Sequence, residues 1–291
     1  EHTALLLDTK VLPKVAYRQW TQSLPLDIRW QVGTNAKLLG AALSVTLRSI
    51  FCWQRRTARR VGIAQPLCGS VSFIHRFNGQ LLLSPHFHAI LPDGVFFIDD
   101  NGALQFAQLP PPSDDDVEKL ARRIAERIDR LVQRHRDDAV DDDDPDALQQ
   151  SLAEAAQVPR RHPWQTHTSP PKPQPPRCFA LDGYSLHANV AVAAEDRRGL
   201  RRLLRYGGRA ALAARRVSLN EQGMVVYKLR KPTSTGRTQI VMTPQQFVRR
   251  LAALTPPPWL NLTLTATLTR SDGKPPQIGR LCSICGKQPC E

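Results

Sequence analysis

The hydrophobic positions change period several times along the chain, and each change predicts a different element. Leu38, Leu39, Ala42, Leu43, Thr46 and Leu47 recur at helical spacing. Residues 1–62 therefore read as helical, closing in the basic cluster Arg55, Arg56, Arg59 and Arg60 before Gly62. Residues 69–98 read as sheet. Ser70 to Phe77 is a β-rich run, Asn78-Gly79 is a turn signal, and Ala89-Ile90-Leu91 and Val95-Phe96-Phe97 follow as strand. Over 114–136, Val117, Leu120, Ile124, Ile128, Leu131 and Val132 are spaced by three or four. That is an amphipathic helix, with Ser113 as its N-cap and Asp114, Asp115 and Asp116 in its first turn. The pattern lapses over 137–176. There an acidic run, Asp141 to Asp144, and a proline-rich stretch predict a linker or surface insertion rather than core.

Regular patterning then resumes. Tyr184 to Val192 alternates like a half-buried strand, and Glu195 to about Arg216 reads as a helix with Leu200, Leu203 and Leu204 on its apolar stripe. Val225 to Leu229 and Gln239 to Met242 suit a hairpin around Ser234-Thr235-Gly236, and Thr243-Pro244 opens a helix running to Leu254. The expected fold class is α+β: an antiparallel sheet with helices on one face, preceded by an N-terminal helical region. The expected organisation is an N-terminal helical, DNA-binding region over 1–68, one domain split into 69–136 and 177–258 by the 137–176 segment, and a C-terminal tail over 259–291.

Charge sharpens the picture. The 291 residues carry a formal net charge of +14, which favours a polyanionic partner, most simply nucleic acid. Between Asp196 and Arg250 there are fourteen Arg and Lys against two acids, Asp196 and Glu221. The basic surface therefore belongs to the segment after the linker. An anionic membrane is the competing partner, but no apolar run reads as a membrane span and no signal peptide is recognisable. The chain starts at Glu1 and can be an internal fragment. Cys52, Cys68 and Cys178 are scattered as reduced thiols would be, which suits a cytoplasmic, nucleoid-associated location. Cys282, Cys285 and Cys290 offer three ligands of a zinc site without a nearby fourth; free thiols in a tail are the alternative.

Candidate chemistry starts at His86-Phe87-His88. On a strand, residues two apart share a face, so both imidazoles aim at one point and make half of a metal site. Two histidines on a solvated sheet face fit the same spacing. A second candidate is Tyr206, set in Arg201-Arg202-Leu203-Leu204-Arg205-Tyr206-Gly207-Gly208-Arg209. A phenol is a poor nucleophile at neutral pH, but guanidinium groups stabilise phenolate and a metal can activate the phosphate it attacks. A tyrosine packing its ring at a helix end is the plain alternative.

Taken together, these stretches resemble the rolling-circle insertion-sequence transposases of the HUH (His-hydrophobic-His) class, the two-tyrosine transposases. The likeness is carried by Tyr17-Arg18-Gln19-Trp20 with Ser23-Leu24-Pro25, by Val71 to Phe77 leading to Pro85-His86-Phe87-His88, and by Asp93-Gly94-Val95-Phe96. Further on it is carried by Ser185-Leu186-His187-Ala188, Arg205-Tyr206 with Arg209, Tyr227 to Pro232, Thr243-Pro244 and Leu251 to Pro257. The resemblance implies a metal-dependent nuclease that nicks and rejoins single-stranded DNA through a 5′-phosphotyrosyl intermediate, using Mg²⁺ or Mn²⁺. It makes His86 and His88 metal ligands and Tyr206 the nucleophile. For the third ligand His75 is the first candidate and His187 the second. Arg205, Arg209, Lys228, Arg230 and Lys231 would contact single-stranded DNA or hairpins at the element ends.

Two departures stand out. The family carries two tyrosines four residues apart, whereas Ala210 follows Tyr206 at that distance and Arg202 precedes it. Its N-terminal cysteine-rich zinc module has no counterpart here. Three rival readings remain at this level: a related HUH replication initiator or relaxase, a non-enzymatic DNA-binding remnant, and a zinc hydrolase built on His86 and His88.

Overall fold

The chain is described from a computed structural model that covers residues 2–138, 175–233, 235–255 and 263–269. The fold is α+β, and its centre is an antiparallel sheet. Six strands make it: β1 (Tyr17–Ser23), β2 (Cys68–Phe77), β3 (Leu83–Pro92), β6 (Cys178–Leu181), β7 (Tyr184–Val192) and β11 (Thr263–Thr269). Their order is β11-β2-β3-β1-β7-β6. A separate hairpin, β4 (Gly94–Ile98) with β5 (Leu104–Gln108), continues from the end of β3.

Three helices cover one face: α2 (Leu26–Thr34), α3 (Ala36–Arg60) and α4 (Asp114–Asp138). Trp20 of β1, Phe87 and Ala89 of β3, and Leu186 and Ala188 of β7 point into this layer, against Leu39, Leu43 and Ile50 of α3 and Ile124 and Ile128 of α4. By length and composition α3 could cross a membrane, which the sequence reading did not anticipate; half of that apolar window lies buried in this core.

The histidine-bearing face is also covered, and there the tyrosine helix closes over the histidines as expected. There α1 (His2–Leu6), the wide turn Leu7–Val11 and α5 (Arg197–Gly207) cover Tyr17, Val71, Phe73, Ile90 and Val192 with Leu7, Leu200 and Leu204. Buried Asp8 joins the two segments, pairing with both Arg197 and Arg201.

The N-terminal region is not wholly helical. β1 sits in the interior of the sheet, between β3 and β7. Its buried Arg18 is fully partnered. The Arg18 guanidinium meets the Asp93 carboxylate at 2.8 and 2.7 Å and donates to Ala188 O at 2.8 Å. The helix expected from 195 to 216 stops at Gly207, and Gly208 caps it. The expected C-terminal tail contains β11, paired along β2. The 139–174 part of the expected linker, and Cys282, Cys285 and Cys290, lie outside the described residues.

A smaller sheet of β8 (Val217–Leu219), β9 (Val225–Lys228) and β10 (Gln239–Met242) has its own core, in which Tyr227, Val225 and Met242 pack with Leu81 and with Phe247 and Leu254 of α6 (Pro244–Leu254). Buried Arg76 ties it to the main sheet, donating to Gly33 O at the end of α2 and to Ala253 O and Thr255 O at the end of α6. One guanidinium on β2 thus joins the ends of α2 and α6.

Candidate active site

The register of the sheet assembles the histidines. His75 of β2 lies directly opposite His86 of β3, and Thr21 of β1 lies opposite His88. Cross-strand partners share a face, so His75, His86 and His88 converge. One ring nitrogen from each lies within 4.8 Å of the others. The ring centroids are 4.7 to 5.1 Å apart.

The remaining ring nitrogens are held. His75 Nε2 lies 2.7 Å from Gly207 O, His86 Nδ1 lies 2.7 Å from Ser84 O, and His88 Nδ1 lies 2.7 Å from the Gln19 amide and 3.1 Å from Thr21 Oγ1. The two carbonyls can only accept, so His75 carries its proton on Nε2 and His86 on Nδ1. That leaves His75 Nδ1 and His86 Nε2 as lone-pair donors, whereas the Gln19 amide nitrogen donates to His88 Nδ1 and places that ring's proton on Nε2; ligation through His88 Nε2 requires the Gln19 amide turned so that its oxygen accepts from Nδ1. His88 Nε2 is buried and has no hydrogen-bond partner. A buried polar nitrogen without a partner is costly, and a carbonyl accepting from the opposite ring N–H, as on His75 and His86, is how ligating histidines are oriented. The donor set therefore fits a metal ion.

Burial dominates the titration of all three rings. It pushes His86 down to about 4 and His88 down to about 3, with the neighbouring histidines adding to the effect. His75 is lowered too, chiefly by burial and also by Arg209, against the opposing pull of the Gly207 carbonyl. The rings are neutral at neutral pH, the form a metal needs.

Tyr206 stands beside them. It is carried on the last turn of α5, 5.2 Å from His88 and 6.3 Å from His75 between ring centroids, and its side chain is exposed. Gly207 sets this approach. A Cβ there would lie 2.3 Å from the Phe73 ring, so only glycine lets the helix end sit so close to the sheet. A groove of about 590 Å³ opens next to the pair and is lined by Tyr206, His75, His86, Arg209, Arg230 and Lys231.

The sequence-derived candidates thus divide. His75, His86, His88, Tyr206, Arg209, Arg230 and Lys231 come together. Arg205 instead lines a separate arginine-rich hollow, and Lys228 is exposed on β9 rather than on the groove wall. His187 shares the sheet face but lies beyond β1 from His88, with Nδ1 3.0 Å from Cys178 Sγ. Three residues went unnoticed in the sequence: Arg216, which lines the groove, and Gln19 and Thr21, which hold His88. The alternation of Gln19 with Thr21 on a strand was the available signal.

The family model described as "Putative transposase" (Y2_Tnp) matches residues 69–264, about two thirds of the chain. The chain belongs to this transposase family. No curated protein and no solved structure matches it. In this transposase the matched stretch includes all three histidines and Tyr206, whereas β1, with Gln19 and Thr21, precedes it.

The buried histidines also set an acid limit. Unfolded, each ring takes a proton near pH 6.5; folded, His86 resists until about 4 and His88 until about 3. The unfolded chain then binds more protons, so stability is full above about 6.5 and is lost as pH falls through that window. Thermal melts of the metal-stripped protein are expected to fall steadily from pH 7 to 4. The decline should be shallower in His88→Gln; equal slopes in the two proteins would contradict the assignment.

Proposed function

We propose that this transposase nicks and rejoins single-stranded DNA with Tyr206 as nucleophile and His75, His86 and His88 as the ligands of a divalent metal ion. The observation that carries the reading is the placement of one exposed phenol beside three neutral imidazoles whose ring nitrogens converge. Three imidazoles without a carboxylate favour Mn²⁺ over Mg²⁺, which prefers oxygen ligands. The bound ion would polarise the scissile phosphate and offset charge in the transition state.

The groove residues Arg209, Arg230 and Lys231 hold the strand by its phosphates, and Arg216 joins them. The Tyr206 oxygen attacks phosphorus in line with the 3′-oxygen. The phenol gives up its proton as the P–O bond to tyrosine forms, the P–O3′ bond breaks, and the departing 3′-oxygen takes up a proton. Because one phosphoester replaces another, a free 3′-hydroxyl can reverse the step without an external energy source. Ala210 lines the groove four residues after Tyr206, so a single phenol serves both directions.

The test is a nicking assay with Mn²⁺ and single-stranded oligonucleotides copied from the ends of the DNA that encodes the chain. A 3′-labelled strand is expected to run as a protein-linked band on a denaturing gel, and a 5′-labelled strand as a shorter free product. Cleavage that leaves both labels free of protein would reject the covalent route.

A further inference from the structure

Among the described residues, α5 is the most heavily charged element near the site. Arg197, Arg198, Arg201, Arg202, Arg205 and Arg209 fall within thirteen positions without one acid. Its packed side needs none of them, because Gly199, Leu200, Leu204 and Gly207 make it. Asp8 neutralises only Arg197 and Arg201. Arg198 and Arg202 are exposed and have no carboxylate partner among the described residues. Like charges four apart on a helix are destabilising, so folding alone does not account for this arrangement.

These side chains build a hollow of their own. Arg198, Arg201, Arg202 and Arg205 line it, and none of its lining residues is shared with the groove. It lies on the N-terminal side of Tyr206 along the helix, whereas Arg209, Arg216, Arg230 and Lys231 follow Tyr206 in the chain and line the groove. One cationic surface therefore contains the phenol, and a second is carried by the same helix in the turns before it.

We infer that the arginine face of α5 is a second single-strand site, which grips the DNA flank that the groove does not hold. The inference rests on the nicking reading and extends it. Cleavage divides one strand into two. One piece stays joined to Tyr206, and the other is retained only by non-covalent contacts, yet it must remain for the reverse step. From Arg198 to Arg205 the helix advances about 10 Å, the rise of about three stacked nucleotides.

The experiment measures binding of a fluorescent twelve-residue oligothymidylate to the full chain by anisotropy across a salt series. Wild type is compared with Arg198→Glu/Arg202→Glu and with Arg230→Glu/Lys231→Glu. The α5 variant is expected to bind about tenfold more weakly or worse, with a salt slope shallower by about 1.4 for two lost phosphate contacts. Arg198→Gln/Arg202→Gln should show a smaller loss in the same direction, which serves if the charge reversal fails to fold. Unchanged affinity and slope in the α5 variants would overturn the inference. So would competition by tripolyphosphate, at equal phosphate concentration, as strong as that by unlabelled oligothymidylate. A loss confined to the α5 variants, with Arg230→Glu/Lys231→Glu unaffected, would keep this site and reject the groove.

Discussion

Replacing Tyr206 with phenylalanine is expected to reduce the covalent protein–DNA adduct by about 10³-fold or more, while affinity for single-stranded DNA stays within about twofold. The substitution removes one oxygen and keeps the ring. That ring stands against His88, while the hydroxyl makes no hydrogen bond among the described residues. No buried partner is stranded, so thermal stability should be unchanged. The arginines and Lys231 proposed to meet phosphates are also untouched. A denaturing gel for adduct and an anisotropy titration for binding separate the two effects. The rivals give different results: a DNA-binding remnant forms no adduct even as wild type, and a zinc hydrolase keeps cutting after Tyr206→Phe. Wild-type-level cleavage by the variant would end the tyrosine mechanism.

The parts of the site that sequence made legible are those whose geometry is local. A two-residue spacing puts His86 and His88 on one strand face whatever the rest of the chain does. Asn78-Gly79 told of a turn between neighbouring strands, and the observed pairing of His75 with His86 follows from that hairpin. The helix around Tyr206 was readable from Leu200, Leu203 and Leu204, but its end was overextended. Gly207 and Gly208 loosen a helix locally, which the sequence does signal, but the close approach of Gly207 to Phe73 is a contact that no local pattern encodes.

What was missed depends on distant partners. β1 holds Arg18, Gln19 and Gln22, and nothing in Tyr17 to Ser23 says that Asp93 and Ala188 wait to satisfy Arg18. Only the assembled sheet makes those polar residues affordable in its interior. Gln19 and Thr21 become partners of His88 for the same reason. β11 is a run of alternating Thr with apolar residues beyond a proline cluster, and it pairs with β2 across about two thirds of the chain. Arg216 reaches the groove through a short turn before β8, where hydrophobic periodicity is silent.

Removing the ligands should be as damaging as removing the phenol, and it can be read without any DNA. In wild type, Mn²⁺ at about 100 times its dissociation constant is expected to add about 2.7 kcal/mol of stability, because the ion binds only the folded arrangement. That corresponds to a rise in melting temperature of about 5–10 °C. His86→Ala/His88→Ala leaves one imidazole, so the Mn²⁺-dependent rise should vanish and the adduct should fall as it does in Tyr206→Phe. In the absence of metal the double variant should not simply collapse. It loses packed ring atoms, but it also removes the buried, unpartnered Nε2 of His88. A milder version, Gln19→Leu with Thr21→Val, keeps all three ligands and frees only the ring of His88; Mn²⁺ affinity should drop by about 10- to 100-fold. If the wild-type melt ignores Mn²⁺, or if the double variant still responds to it, the three histidines are not a metal site. The phenol beside them would then have no ion to prepare its phosphate.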